Sequence, residues 1–167
     1  MMKLVFSPLL SIGKLQKAGK SQAVAILVSD ALSLSGLAAD LDKRSGGLVK
    51  RALGGKFKGK KGEIVSVIAP SSLGVDRIFV AGYGAEKDAK PSTFEDVGGE
   101  LVSAANSAGI HSLTVIVDKL PGKQKIGEAA ARMGFGALLK SYRFDKYRTT
   151  EKPEEKPTLE NFTIASS

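Results

Sequence analysis

The chain contains no cysteine, no tryptophan and a single histidine among its 167 residues. Without cysteine there is no disulfide, no thiol nucleophile and no cysteine-ligated zinc site. That composition fits a cytosolic chain. There is no HExxH pair, no GxSxG elbow and no Walker sequence. No apolar run approaches the roughly 18 residues that a membrane-spanning helix needs, so no membrane partner is expected. The opening MMKLVFSPLLSIGK makes a poor signal peptide. Its apolar stretch is short, is broken by Pro8 and lacks a small-residue cleavage site. It reads as a first strand and turn.

What is present suits one ordinary α/β domain. Hydrophobic residues make up 43% and charged residues 25%, enough for a core and a soluble surface. The net charge of +8 and pI of about 9.7 permit attraction to polyanions, or compensation by an acidic partner domain.

Two kinds of periodicity alternate along the chain. Lys3 to Ser7 is a short strand candidate, and QAVAILVS (22–29) is a near-continuous apolar run of strand length, as in a sheet covered on both faces. Leu34 to Asp42 predicts a helix, interrupted by Gly46-Gly47 and resumed in LVKRAL. KFKGKKGE (56–63) is a basic loop. Ile64 to Ala69 and Arg77 to Gly82 are strands whose link is too short for a parallel crossover, which predicts a mixed sheet. Ser92 and Glu95 have capping-box spacing at the start of a helix with Val97, Leu101, Ala104 and Ala108 on one face, stopped by Gly109. SLTVIV (112–117) is a β-branched strand. Gly122 to Phe144 carries a second long helix with Ile126, Ala130, Met133 and Ala137 on one face. Gly134 and Gly136 inside it each cost about 1 kcal/mol relative to Ala, which close packing against the sheet, or a bend, would explain. The fold class is therefore α/β: a three-layer sandwich with a mixed β-sheet between helices.

Residues 1–148 form the expected domain. Residues 149–167 begin as a charged, Pro-containing linker, TTEKPEEKP. The following TLENFTIA (158–165) regains apolar character, as an edge strand of this domain or the first piece of a next one.

The residue inventory contains no convincing catalytic or metal site. His111 stands alone at a strand entrance, a structural position. Asp40 and Asp42 lie on different helix faces, and Glu154 and Glu155 lie in the linker; both pairs read as solvated charges rather than as the convergent carboxylates of two-metal hydrolysis. Two candidate binding sites remain. Ser45, Gly46 and Gly47 precede a helical run, so backbone amides there could face an anion, or the glycines could serve as a kink between two helices. Lys50, Arg51, Lys56, Lys58, Lys60 and Lys61 form a basic cluster suited to phosphate contacts with DNA, or to simple solvation. Phe57 alone is no stacking platform.

Several strings, taken in order, resemble the N-terminal domain of the leucyl (cytosol) aminopeptidase family: GGLVKRALGGKFKGKKGE (46–63), DRIFVAGYG (76–84), GGELVSAANSAG (98–109) and GFGALLKSYRFDKYRTTEKP (134–153). The last is the most specific, with aromatic and basic residues after a small-residue helix and then a charged linker. The resemblance implies a fold similar to macro domains and a non-catalytic role in domain packing, oligomer assembly or regulation. It implies a cytoplasmic, hexameric parent enzyme that removes N-terminal residues from peptides with two divalent metal ions, zinc or manganese. Their ligands would lie in a C-terminal catalytic domain, the expected partner of this one. The family's signature there, Asn-Thr-Asp-Ala-Glu-Gly-Arg, does not occur in this sequence, so no catalytic or metal residue and no cofactor is assigned to this chain. Some bacterial relatives also bind DNA. In macro domains a Gly-rich loop comparable to 45–47 holds the phosphates of ADP-ribose. A second Gly-rich loop after strand 112–117 is missing here, where DKLPGK stands instead. A DNA-binding accessory domain and a macro-type nucleotide-ligand module are thus the two alternatives.

Overall fold

Alternate residues of the strand Gln22–Val28 (β2) serve two different cores. Ala23 and Ala25 join one buried cluster and Val24, Ile26 and Val28 the other, because successive side chains of a strand point to opposite faces. The near-continuous apolar run is therefore a strand covered on both sides. The computed structural model describes residues 1–9, 11, 12, 15, 19–120, 125–146 and 156–167.

The remaining elements are β1 (Lys3–Pro8), α1 (Gly36–Arg44), α2 (Leu48–Leu53), β3 (Ile64–Ile68), β4 (Arg77–Gly82), α3 (Pro91–Ser107), β5 (Ser112–Val117), α4 (Ile126–Lys146) and β6 (Asn161–Ser166). The six strands form one sheet in the order β1-β6-β5-β2-β4-β3. Among the described residues only β3 runs antiparallel to its neighbour, β4, so the sheet is mixed as expected. Helices α3 and α4 cover one face, where Phe94, Val97, Leu101, Met133 and Ala137 are buried. Helices α1 and α2 cover the other, burying Leu41, Val49 and Leu53.

Three expectations change. The stretch 158–165 holds most of β6, which is not an edge strand: it is paired in parallel register with β1 on one side and β5 on the other. A segment with nothing local to pack against thus finds its partners more than 40 residues away in sequence. The Ser92–Glu95 capping box does not form. Pro91 is the first helical residue, which suits its missing N–H. The Lys90 amide donates to Thr93 Oγ1 at 3.2 Å. Glu95 instead reaches Arg132 at 3.5 Å. The buried face of α3 runs through Phe94, Val97, Leu101 and Ala105, with Ala104 and Ala108 only partly buried. Gly109 (φ +70°) does end the helix, with Ile110 N–H donating to Ala105 O at 2.9 Å, the Schellman arrangement.

The two glycines of α4 have different reasons. A Cβ at Gly134 would press on Leu4 and Phe6 at 3.0 Å, which is the expected approach to the sheet. A Cβ at Gly136 would overlap the Glu95 carbonyl of α3, and one at Gly98 would overlap the Met133 carbonyl of α4. The two long helices therefore touch backbone to backbone. Residues 149–155 of the expected linker, Gly122 at the expected start of α4 and the end of SYRFDKYRT beyond residue 146 lie outside the described residues.

Candidate functional site

The Ser45-Gly46-Gly47 turn is a joint between two helices. Gly46 (φ +72°) and Gly47 (φ +85°) take the left-handed backbone that non-glycine residues avoid. Their amides are used within the joint: Ser45 N–H donates to Leu41 O, Gly46 N–H to Lys43 O and Gly47 N–H to Asp42 O. Asp42, expected as a solvated charge, is 7% exposed. Its Oδ1 accepts from the Lys50 amide of α2 at 2.8 Å, placing a carboxylate at the positive end of that helix. Asp40 behaves as expected, on the surface 3.1 Å from Arg44.

The basic loop 56–63 is held in a fixed shape. Gly59 (φ +73°) lies so close to the end of β2 that a Cβ would stand 2.5 Å from Ser29 O. Gly84 N–H donates to Gly59 O at 2.9 Å and Gly62 N–H to Gly82 O at 3.1 Å. Inside the loop Glu63 accepts from the amides of Lys58 (2.7 Å) and Lys60 (3.3 Å). The Lys58 amide, above all, holds the Glu63 carboxyl below its ordinary value. The loop glycines thus allow close docking rather than mobility. Phe57 is buried beneath it, while Lys56, Lys58, Lys60 and Lys61 are exposed, as are Lys50 and Arg51 on α2. Lys61 meets Asp96 at 3.2 Å and Arg51 donates to Gly46 O at 3.2 Å. Between residues 43 and 62 there are eight Lys or Arg and no Asp or Glu, a charge equal to the +8 of the whole chain.

A crevice of about 480 Å³ opens at the C-terminal ends of β2 and β5, where the crossover connections diverge in open α/β sheets. Periodicity alone does not reveal it, because its lining comes from four separate segments. Tyr83 forms part of its wall; burial, then Glu86, push its hydroxyl up to about 12, so it stays a neutral donor. Ser29 Oγ donates to Glu86 at 3.3 Å. Asp118, in the DKLPGK position, accepts from the Leu37 amide of α1 at 2.8 Å. Gly36 takes the left-handed backbone (φ +57°) that glycine adopts most readily, and a Cβ there would displace that carboxylate. Helix α1 therefore already holds an anionic group of this chain at its positive end.

His111 pins the strand starts. Its amide donates to Ser21 O, and its carbonyl accepts from Glu160 and Asn161. Its Nδ1 lies 2.8 Å from Ser21 Oγ, whose own proton goes to Gly109 O at 2.8 Å. Seven of the described carboxylates are likewise committed: Asp42, Asp118 and Glu63 to amides, Asp40, Asp96, Glu95 and Glu160 to cations. Among the described residues no three metal-ligating side chains converge, so these residues do not fit the two-metal centre that the resemblance implies for a parent enzyme.

Residues 23–151 match the sequence profile of the cytosol aminopeptidase family, N-terminal domain. A probable cytosol aminopeptidase of Caulobacter vibrioides is 35% identical over 155 residues, covering 90% of this chain but 30% of the relative. The chain thus spans about a third of the length of the curated relatives it matches. Among solved structures, a tomato leucine aminopeptidase mutant superimposes with a TM-score of 0.74 at 21% identity, over 99% of this chain and 32% of that one. A Trypanosoma brucei macrodomain in complex with ADP superimposes with a TM-score of 0.61 at 16% identity, over 97% of this chain and 61% of that one, a likeness of fold. The profile match and the curated identity together establish that this chain belongs to the cytosol aminopeptidase family and corresponds to its N-terminal domain.

Proposed function

We propose that the chain is the non-catalytic domain of a cytoplasmic, metal-dependent leucyl aminopeptidase, serving domain packing and oligomer assembly. The observation that carries this reading is that the matched region is named for the N-terminal domain and accounts for 30% of the relative's length. The zinc or manganese pair and its ligands then belong to the remaining two thirds, and the parent is a homo-oligomer, a hexamer by the resemblance. The folded unit is drawn to include β6, which is hydrogen-bonded on both sides. The test is hydrolysis of leucine p-nitroanilide with added manganese or zinc, by the full-length protein and by residues 1–167 alone. Turnover by the full-length protein only is the expected result; turnover by residues 1–167, or by neither, overturns the reading. Light scattering of the full-length protein checks the hexamer.

A second reading rests on the charge of segment 43–62, which gathers Lys50, Arg51, Lys56, Lys58, Lys60 and Lys61 with no carboxylate among them. Contact with duplex DNA there would be sequence-independent and steeply salt-dependent. Retention on duplex DNA that falls with salt, and falls further in a Lys58→Glu/Lys60→Glu variant, supports it; salt-independent elution removes it. The macro-type alternative has the crevice for its site, but Asp118 already takes the Leu37 amide. A melting temperature unmoved by millimolar ADP-ribose is the expected outcome.

A further inference from the structure

Helix α4 is apolar on two opposite sides. Met133 and Ala137 are fully buried against the sheet. Turned away from it, Phe135, Leu138, Leu139 and Tyr142 recur at i, i+3, i+4 and i+7 and are 49%, 42%, 39% and 58% exposed. That spacing makes one continuous stripe. Gly134 carries the patch onto the sheet edge, since its neighbours include Phe6 of β1, itself 55% exposed. Four of the seven exposed large hydrophobics among the described residues therefore lie on one helix face, with a fifth beside it. Basic and acidic residues border the stripe: Lys140 and Arg143 share a groove with Glu95, Asp96 and Glu100. An apolar centre with a charged border is the anatomy of an interface.

We infer that this α4 stripe, with Phe6, is the surface against which the remaining two thirds of the aminopeptidase polypeptide docks. The inference rests on the domain reading above and names the surface that reading leaves open. Two observations select this occupant. The curated relatives are about three times as long as this chain, so a covalently attached partner of ample size is available. The last strand also passes under the start of the stripe: Ile164 packs near Gly134 together with Leu4 and Phe6, and Ser166, two residues further on, pairs with Pro8. Two residues of strand advance the chain by roughly 7 Å. A module tethered there meets the stripe at high effective concentration.

The absence of cysteine provides the test. Leu138→Cys and, separately, Tyr142→Cys are placed in residues 1–167 and in the full-length protein, with Lys56→Cys as a reference on the basic loop. Maleimide labelling at each site is followed by peptide mass spectrometry. The expected result is free labelling of both α4 sites in residues 1–167 and at least about tenfold slower labelling in the full-length protein, with Lys56→Cys unchanged. Equal rates in both proteins overturn the inference. So does protection already present in residues 1–167 with a dimer mass, or protection in the full-length protein that vanishes on dilution to monomer, because each assigns the stripe to a second copy. Leucine p-nitroanilide turnover of the same full-length preparations separates the two readings. An active protein with unprotected sites defeats only the docking surface. An inactive protein with protected sites defeats only the aminopeptidase reading. A reading frame that stops after Ser167 defeats both.

Discussion

The two layers that flank the sheet are built on opposite plans. On the α3/α4 side, β2 and β4 offer a floor rich in alanine, Ala23, Ala25 and Ala81. Two long helices lie over it, meeting each other through Gly98 and Gly136. On the α1/α2 side the same strands offer Val24, Ile26, Val28, Ile78 and Val80. The helices there are short and are joined at Gly46-Gly47. The outer surfaces differ as well. The first layer shows water an apolar stripe, whereas residues 43–62, which hold α2 and the loop after it, carry eight basic side chains and no acidic one. Small residues let backbones approach and gain dispersion contact without bulk. Branched residues fill the space above a sheet that short helices cover less completely. The difference teaches that the two sides suit different partners: an apolar protein surface on one, water or a polyanion on the other.

The largest effect should come from the glycine contact. Gly136→Ala places a methyl group on the Glu95 carbonyl and should destabilise the chain by about 3 kcal/mol, as overpacking at backbone contacts does. The same change at Gly127, where no atom lies within 4 Å, should instead stabilise it by about 0.5 kcal/mol. Urea midpoints followed by circular dichroism test the pair, and equal effects at both positions would break the contrast. In the other layer, Asp42→Ala removes the acceptor of the Lys50 amide and should cost about 1.5 kcal/mol. A loss well under that figure would mean that water replaces the carboxylate. Gly47→Ala has open space for the methyl group but a φ of +85°, so its cost of about 1 kcal/mol is purely conformational. A neutral result in thermal melts would show that the joint relaxes.

The smallest effect is a pH dependence of the basic loop. Glu63 titrates below its ordinary value of 4.5, so its ionised form is favoured by folding. Its contribution is complete above that ordinary value and is lost as the pH falls through the lowered one. The melting temperature of the unsubstituted chain should exceed that of a Glu63→Gln variant near neutral pH. The gap should close below pH 4.5. A gap that persists in acid would assign the effect to shape rather than charge.

Much of this molecule was legible locally. Arg77–Gly82 and Ser112–Val117 have the boundaries that their β-branched and aromatic runs predict. The antiparallel link of β3 to β4 follows from a connection too short to cross over. Gly109 ends α3 because a left-handed residue is needed there. The resemblance strings pointed to the family, since they are contiguous runs. What stayed hidden was chemistry that depends on distant partners. Asp42 looks like any helix carboxylate until α2 folds back and presents the Lys50 amide. Asp118 looks like a turn residue until α1 begins beside it.

The sequence by itself determined the class of fold, the family and the site of the excess charge, because periodicity, motif strings and ionisable side chains are properties of neighbouring residues. Only the tertiary structure decided that β6 lies between β1 and β5, that Gly98 and Gly136 set the distance between two helices, and that α4 keeps an apolar face turned outward. The reason is physical. Strand pairing and helix contact join residues far apart along the chain, and the same apolar side chain is core or surface according to what arrives against it.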